Sequence, residues 1–240
     1  MGKFELTSFT NDRALAQAAA SLWLKELANQ KDSGEPHCVA LSGGRIAKTF
    51  FSAVAAQTRT GAGPLSRVHF FWADERCVPP DDVESNFRVA REILFEPLKI
   101  EKERIHRIRG EESAEFAVAE AEAELCRVTP LNLDGQPVLD LIFLGMGEDG
   151  HVASLFPGEP EVVAASKAVY RAVTASKPPP RRITLGYAAI AAAKQVWVLA
   201  SGAGKAAALR DSLRPDGQTP LAQVLRICEA ARLFTDIHVD

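Results

Sequence analysis

The sequence carries no surplus of basic charge. Its 240 residues hold 28 Lys and Arg against 31 Asp and Glu, a formal net charge of -3. That is not the footprint of a chain that grips nucleic acid or an anionic membrane through a basic face. A small anionic substrate is not excluded, because a local cluster of cations can hold it. Cysteine is also scarce. The four residues Cys38, Cys77, Cys126 and Cys228 are far apart and form no C-x-x-C, which argues against a zinc site or a redox pair. Scattered cysteines fit a reducing compartment, and Met1 to Asn11 lacks the basic-then-apolar pattern of a secretory signal, so a cytoplasmic location is expected. Leu6 breaks the myristoylation pattern that Gly2 would open. No apolar run reaches the ~18 residues of a membrane span. The longest, Tyr187 to Leu199, is interrupted by Lys194 and Gln195.

What is present reads as globular. Hydrophobic residues make up 47% and charged residues 25%, ordinary usage for a folded chain, and the length fits one large domain over residues 1–240. Asp12 is read as the cap of a first helix carrying Leu15, Leu22, Leu24 and Leu27. Buried strands are expected at Cys38 to Leu41, Val68 to Trp72, Leu139 to Leu144, Ala168 to Val173 and Gln195 to Ala200, with a short one at Arg232 to Thr235. Helices are expected at Ile46 to Thr58, from Ser85 or Asn86 to Phe95, at Glu111 to Val128, near Ala188, at Ala203 to Leu213 and at Leu221 to Cys228. Gly61 to Pro64 and Pro79 to Asp82 are read as loops, and the Val68 to Trp72 strand runs directly into Ala73 to Arg76. Continuous apolar strands alternating with helices predict an α/β fold: a mainly parallel sheet with helices on both faces. In such sheets ligands lie beyond the carboxyl ends of the strands.

Four polar segments fall at those ends. Ser42-Gly43-Gly44 sits between a strand and a helix, where a helix N-terminus and close backbone approach suit a phosphate. A plain tight turn explains it equally, and the spacing is neither a Walker loop nor a dinucleotide fingerprint. Asp74-Glu75-Arg76 follows the second strand. As a bland charge run it is a solvated loop. As a site it offers Asp74 to sugar hydroxyls and Arg76 as a fork for phosphate. Gly145 to His151 follows the third strand, and Asp149 two residues before His151 could orient the imidazole or raise its basicity. A lone histidine is more often a surface or capping residue. No second histidine stands at metal-ligand spacing, so no metal is assigned, and no G-x-S-x-G supports Ser154 as a nucleophile. Last, Arg181-Arg182 and Gly202-Ala203-Gly204-Lys205 add cations. Lys205 at a helix start opposes the dipole, a conflict that a bound anion would relieve.

These segments in this order resemble the glucosamine-6-phosphate isomerase/6-phosphogluconolactonase family. The resemblance rests on Leu41 to Gly44, Trp72 to Pro79, Glu84-Ser85-Asn86, Asp140 to Pro157, Lys177 to Leu185 and Gly202 to Ala206. It implies the Rossmann-like fold of sugar-phosphate isomerases and deaminases, and no metal or organic cofactor. It also implies hydrolysis of 6-phospho-D-glucono-1,5-lactone to 6-phospho-D-gluconate in the oxidative pentose phosphate pathway. His151 and Asp149 are the implied catalytic pair. Ser42, Gly43, Gly44, Arg45, Asp74, Arg76, Asn86, Arg182 and Lys205 are the implied substrate-binding residues. The implied partner is a small phosphorylated lactone alone, without nucleic acid or membrane, and a monomer is favoured. One departure stands out. The family reads Ser-Gly-Gly-Ser-Thr-Pro in the first loop, whereas Arg45-Ile46-Ala47 follows Gly44 here. The expected hydroxyls are missing, and Arg45 either supplies charge in their place or points away. The deaminase pattern, the nearest rival, carries Asp-Glu-Tyr at 74–76 and Phe-Asn-Glu-Pro at 154–157, and this chain matches neither. A non-catalytic sugar-phosphate sensor is the other rival, but no basic helical module precedes the first strand.

Overall fold

Residues 4–30, 34–58 and 63–238 are described by the structure, a computed structural model. Part of the expected Gly61 to Pro64 loop lies outside these residues. The strands are β1 (Phe4–Ser8), β2 (His37–Leu41), β3 (Val68–Trp72), β4 (Asp74–Arg76), β5 (Leu141–Gly145), β6 (Tyr170–Thr174), β7 (Arg181–Leu185), β8 (Val196–Ala200) and β9 (Ala231–Thr235). The α-helices are α1 (Asp12–Asn29), α2 (Arg45–Thr58), α3 (Asn86–Ala90), α4 (Glu96–Leu98), α5 (Ala114–Val128), α6 (Glu161–Ala164), α7 (Tyr187–Ala191), α8 (Ala206–Leu213) and α9 (Pro220–Ile227).

Six strands form one sheet in the order β1-β9-β8-β5-β2-β3, and every neighbouring pair is parallel. All five residues of β2 and of β8 are buried. Successive side chains of a strand point to opposite faces, so both faces of the sheet are covered, as the unbroken apolar runs predict. One face is closed by an aromatic cluster. Trp23 of α1 meets Phe143 of β5 edge-on, with ring centroids 5.1 Å apart, and Phe50 of α2 lies 4.6 Å from Phe143. Truncating a ring of this kind to alanine costs about 3–5 kcal/mol. No helix among the described residues is long and apolar enough to cross a membrane.

Several sequence expectations are corrected. The N-cap of α1 is Asn11, whose side chain accepts from the Ala14 amide at 2.9 Å, and Asp12 is instead the first helical residue. The cap of α3 is Ser85, and the helical path beyond Ala90 widens into a π-type turn through Phe95. The fifth helix starts at Ala114 behind its Ser113 cap, later than Glu111. β1 was not anticipated. Its residues are mostly exposed, so it lacks the apolar run that marks the central strands. Asp74 to Arg76 is not a loop but a strand, and it belongs to a second, antiparallel sheet ordered β4-β7-β6. Asp140, the one polar residue expected in the third strand, precedes β5. Its carboxylate accepts the Cys38 amide at 2.8 Å and pairs with Lys194 at 2.7 Å, clamping the strand edge opposite the ligand end.

Candidate active site

β2 and β5 are neighbours in the sheet, but their chains lead away in opposite directions, β2 toward β3 and β5 toward β8. This is the switch point where open α/β sheets bind ligands. The loops after these two strands bound a cleft lined by Ser42, Gly43, Gly44, Arg45, Asp74, Arg76, Asn86, His151, Arg182 and Lys205, together with Ile46, Gly145, Met146 and Ala153. Every residue singled out from the sequence is in that lining except Asp149, which stands immediately behind His151.

The His151 loop is shaped by its glycines. Gly150 has φ +80, which favours glycine, and the Gly147 amide donates to the His151 carbonyl at 2.8 Å. A Cβ on Gly147 would overlap the His151 ring and crowd the Asp149 carboxylate, so only glycine leaves the ring this seat. His151 Nδ1 lies 2.5 Å from Asp149 Oδ1, and the ring rests beside Phe156 at 5.0 Å. Burial works to raise the Asp149 carboxyl. Its hydrogen bonds with the His151 side chain and backbone outweigh that and hold it below the ordinary carboxylate range. An ionised Asp149 accepts, so a neutral His151 ring would carry its proton on Nδ1 and leave its lone pair on Nε2.

Cations gather in two groups. Arg76 and Arg182 are cross-strand partners in β4 and β7. Burial, and then the Arg76 charge, lower the affinity of the Arg182 guanidinium for its proton. Arg182 is steadied by the Pro179 carbonyl at 3.1 Å, and Arg76 by the Glu84 carbonyl. On the other side, burial followed by the Arg45 charge lowers the Lys205 ammonium. The Arg45 guanidinium reaches to within 3.6 Å of the point where a Gly202 side chain would begin. Arg45 therefore lies on the Gly202–Lys205 side of the cleft. Two buried polar atoms in the lining, Ser42 Oγ and Arg76 Nε, have no protein hydrogen-bond partner. Buried polar atoms left unpaired beside crowded cations mark this cleft as a candidate site.

Two residues of the site were not singled out. Ser154, considered only as a nucleophile, is fully buried and donates to Asp74 Oδ2 at 2.7 Å. Glu75, taken with its neighbours as part of a charge run, is 3% exposed. Period-two alternation was the available signal: β4 turns Asp74 and Arg76 to the cleft and Glu75 inward. Asn86 completes the wall. Its side-chain amide donates to the Asp74 carbonyl at 2.9 Å, and its carboxamide abuts Gly43 so closely that a Cβ there would collide with it. Among the described residues, no three His, Cys, Asp or Glu side chains gather as a metal site.

Comparison with known proteins places this arrangement. The family described as glucosamine-6-phosphate isomerases/6-phosphogluconolactonase matches residues 10–233, and the chain belongs to it. A 6-phosphogluconolactonase from Streptomyces coelicolor is 33% identical over 220 residues, 89% of this chain and 84% of that one. The solved structure of 6-phosphogluconolactonase from Trypanosoma brucei superposes with a TM-score of 0.86 at 28% identity, covering 98% of this chain and 97% of that one. A monomeric glucosamine-6-phosphate deaminase superposes with a TM-score of 0.79 at 17% identity over 98% of each chain, a likeness of fold alone.

Proposed function

We propose that this chain hydrolyses 6-phospho-D-glucono-1,5-lactone to 6-phospho-D-gluconate in the oxidative pentose phosphate pathway. The observation that carries the proposal is that His151, with Nε2 left free by its Asp149 bond, shares one cleft with Arg45, Arg76, Arg182 and Lys205. The relatives named above support it. In this reading the phosphate sits among those cations and the amides of Gly43 and Gly44, at the N-terminus of α2. Binding so far from the reacting carbon fixes the ring for attack. His151 Nε2 takes a proton from water as the water oxygen bonds to C1. The oxyanion formed at C1 then collapses, the bond from C1 to the ring oxygen breaks, and the proton passes to that oxygen as it becomes the C5 hydroxyl. Ser42, Asp74 and Asn86 meet the sugar hydroxyls.

The isomerase or deaminase reading would use Asp74 as a base on the substrate carbon. Here Ser154 Oγ engages one Asp74 oxygen at 2.7 Å and Asn86 approaches the other at 3.4 Å. Asp74 is thereby held as an acceptor that orients neighbours. We further read residues 1–240 as one lactonase domain acting as a cytoplasmic monomer, without metal, cofactor, nucleic acid or membrane. Sedimentation of the purified protein tests the monomer.

The test of the reaction is a lactone-hydrolysis assay corrected for spontaneous ring opening, run on wild type and His151→Ala. Loss of the base is expected to lower kcat by about 10²–10⁴. Wild-type turnover in folded His151→Ala would refute the base assignment, and ammonia release from glucosamine 6-phosphate would favour the deaminase.

A further inference from the structure

Glu75 is the one buried carboxylate of the site that the reaction above leaves without a task. Both of its oxygens are fully engaged. Oε1 accepts the backbone amides of Arg76 and Asn86, each at 2.8 Å. Oε2 accepts the Phe87 amide at 2.8 Å and the Ser85 hydroxyl at 3.2 Å. Burial pushes the carboxyl up to about 7, and the three backbone amides pull against that rise. We infer that Glu75 is a positioning residue: by gathering these amides on one carboxylate, it fixes where Arg76 and Asn86 meet the phosphorylated substrate.

A helix cap alone does not account for this arrangement. Ser85 already caps α3 by accepting the Arg88 amide. What Glu75 adds is a single oxygen shared between a residue of β4 and the first residue of α3, and both of those residues line the cleft. Asn86 has little latitude, because its carboxamide lies against Gly43 and its amide nitrogen is bonded to the Asp74 carbonyl. The tether therefore sets the spacing of three elements at once: the loop after β2, the strand β4 and the start of α3. The loop that carries His151 and Asp149 donates none of the Glu75 hydrogen bonds. Disturbing Glu75 should therefore weaken substrate binding far more than the proton transfer.

Glu75→Gln is nearly isosteric, yet it turns one amide nitrogen toward two donors whichever way it is placed. The inference rests on the lactonase reading, so two readouts are used. In the hydrolysis assay, Glu75→Gln is expected to raise KM about tenfold or more while kcat stays within about threefold. By calorimetry, 6-phosphogluconate is expected to bind more weakly by a similar factor. In an Arg76→Ala/Asn86→Ala background, adding Glu75→Gln should change that affinity by less than about twofold, because its effect runs through those two residues. Glu75→Asp keeps the charge on a shorter arm and should give an intermediate KM, and it carries the test if Glu75→Gln does not fold. Melting at a lower temperature with unchanged KM and affinity would reduce Glu75 to a structural role and overturn the inference. So would a fall in kcat alone, full additivity in the double-variant background, or a wild-type KM in Glu75→Asp. If wild type binds 6-phosphogluconate but turns over no lactone, the lactonase reading falls and the affinity measurements still decide the role of Glu75.

Discussion

Arg76 of β4 and Arg182 of β7 stand directly opposite one another across an antiparallel pair. Like charges in register are destabilising, and among the described residues only one of the two, Arg76, has a carboxylate within ion-pair range, at 3.5 Å from an exposed Glu84. The fold thus holds two like charges in register, an arrangement that a bound anion is expected to improve. Arg182→Met is expected to leave the melting temperature of the free protein unchanged or raised. The same variant should lose about 3 kcal/mol of 6-phosphogluconate affinity, roughly a hundredfold in Kd. Thermal shifts with and without the ligand check both halves.

The seat of His151 depends on a residue that takes no part in the chemistry. Gly147→Ala would place a methyl against the imidazole and the Asp149 carboxylate. Overpacking of this kind typically costs about 1–3 kcal/mol. Here the ring also leaves its position, so kcat is expected to fall by about a hundredfold. A folded Gly147→Ala variant with kcat near wild type would show that the ring does not need this seat.

Ser154 makes a different contribution. It is fully buried, and its hydroxyl donates to Asp74. Ser154→Ala leaves one Asp74 oxygen without that donor, a loss of about 1–3 kcal/mol. At this chain length each kcal/mol corresponds to about 2–4 °C in Tm. A double-mutant cycle with Asp74→Asn, read by thermal unfolding, should show coupling. Simple additivity would mean that the bond carries no stability.

Acid sensitivity follows from histidines outside the site. His69 Nδ1 lies 2.9 Å from His106 Nε2, and His106 Nδ1 lies 2.7 Å from Glu124. Burial lowers His37, His69 and His106 below the ordinary 6.5. Each of these rings thus binds fewer protons in the folded protein than in the unfolded chain just below that pH. The stability these groups contribute is present above pH 6.5 and is lost as the pH falls through their folded values. Glu75 acts in the opposite sense between its ordinary 4.5 and about 7. Comparing wild type with His106→Phe at each pH cancels that contribution. The variant should show the shallower loss of stability below pH 6.5, and parallel curves would exclude His106 as an acid-sensitive group.

The parts of the fold read most readily from the sequence are those whose burial is nearly complete. β2, β3, β5 and β8 are apolar on both faces, so each reads as a continuous run whatever its partners. Their glycine- and charge-bearing ends could then be located by counting along the chain. β1, β4 and the antiparallel pairing of β4, β7 and β6 were missed because these segments are mixed in polarity, although a strand at β6 itself was expected. β4 is three charged residues long, and only its pairing with β7 makes it a strand. Its alternation sends Glu75 inward, where local composition predicts a solvated loop.

The sequence by itself determined which chemical groups are available and where along the chain they occur: an imidazole two residues from a carboxylate, glycines at strand ends, and cations on separate segments. Those properties are local, set by backbone geometry and by the period of burial. Tertiary structure alone decided that Arg45 turns toward Lys205, that Arg76 faces Arg182, that Ser154 serves Asp74 and that Glu75 binds amides rather than water. Each of those relationships joins segments that are distant along the chain or lie on different strands. Which oxygen meets which donor is fixed by the packing of two sheets, and the spacing of residues does not carry that information.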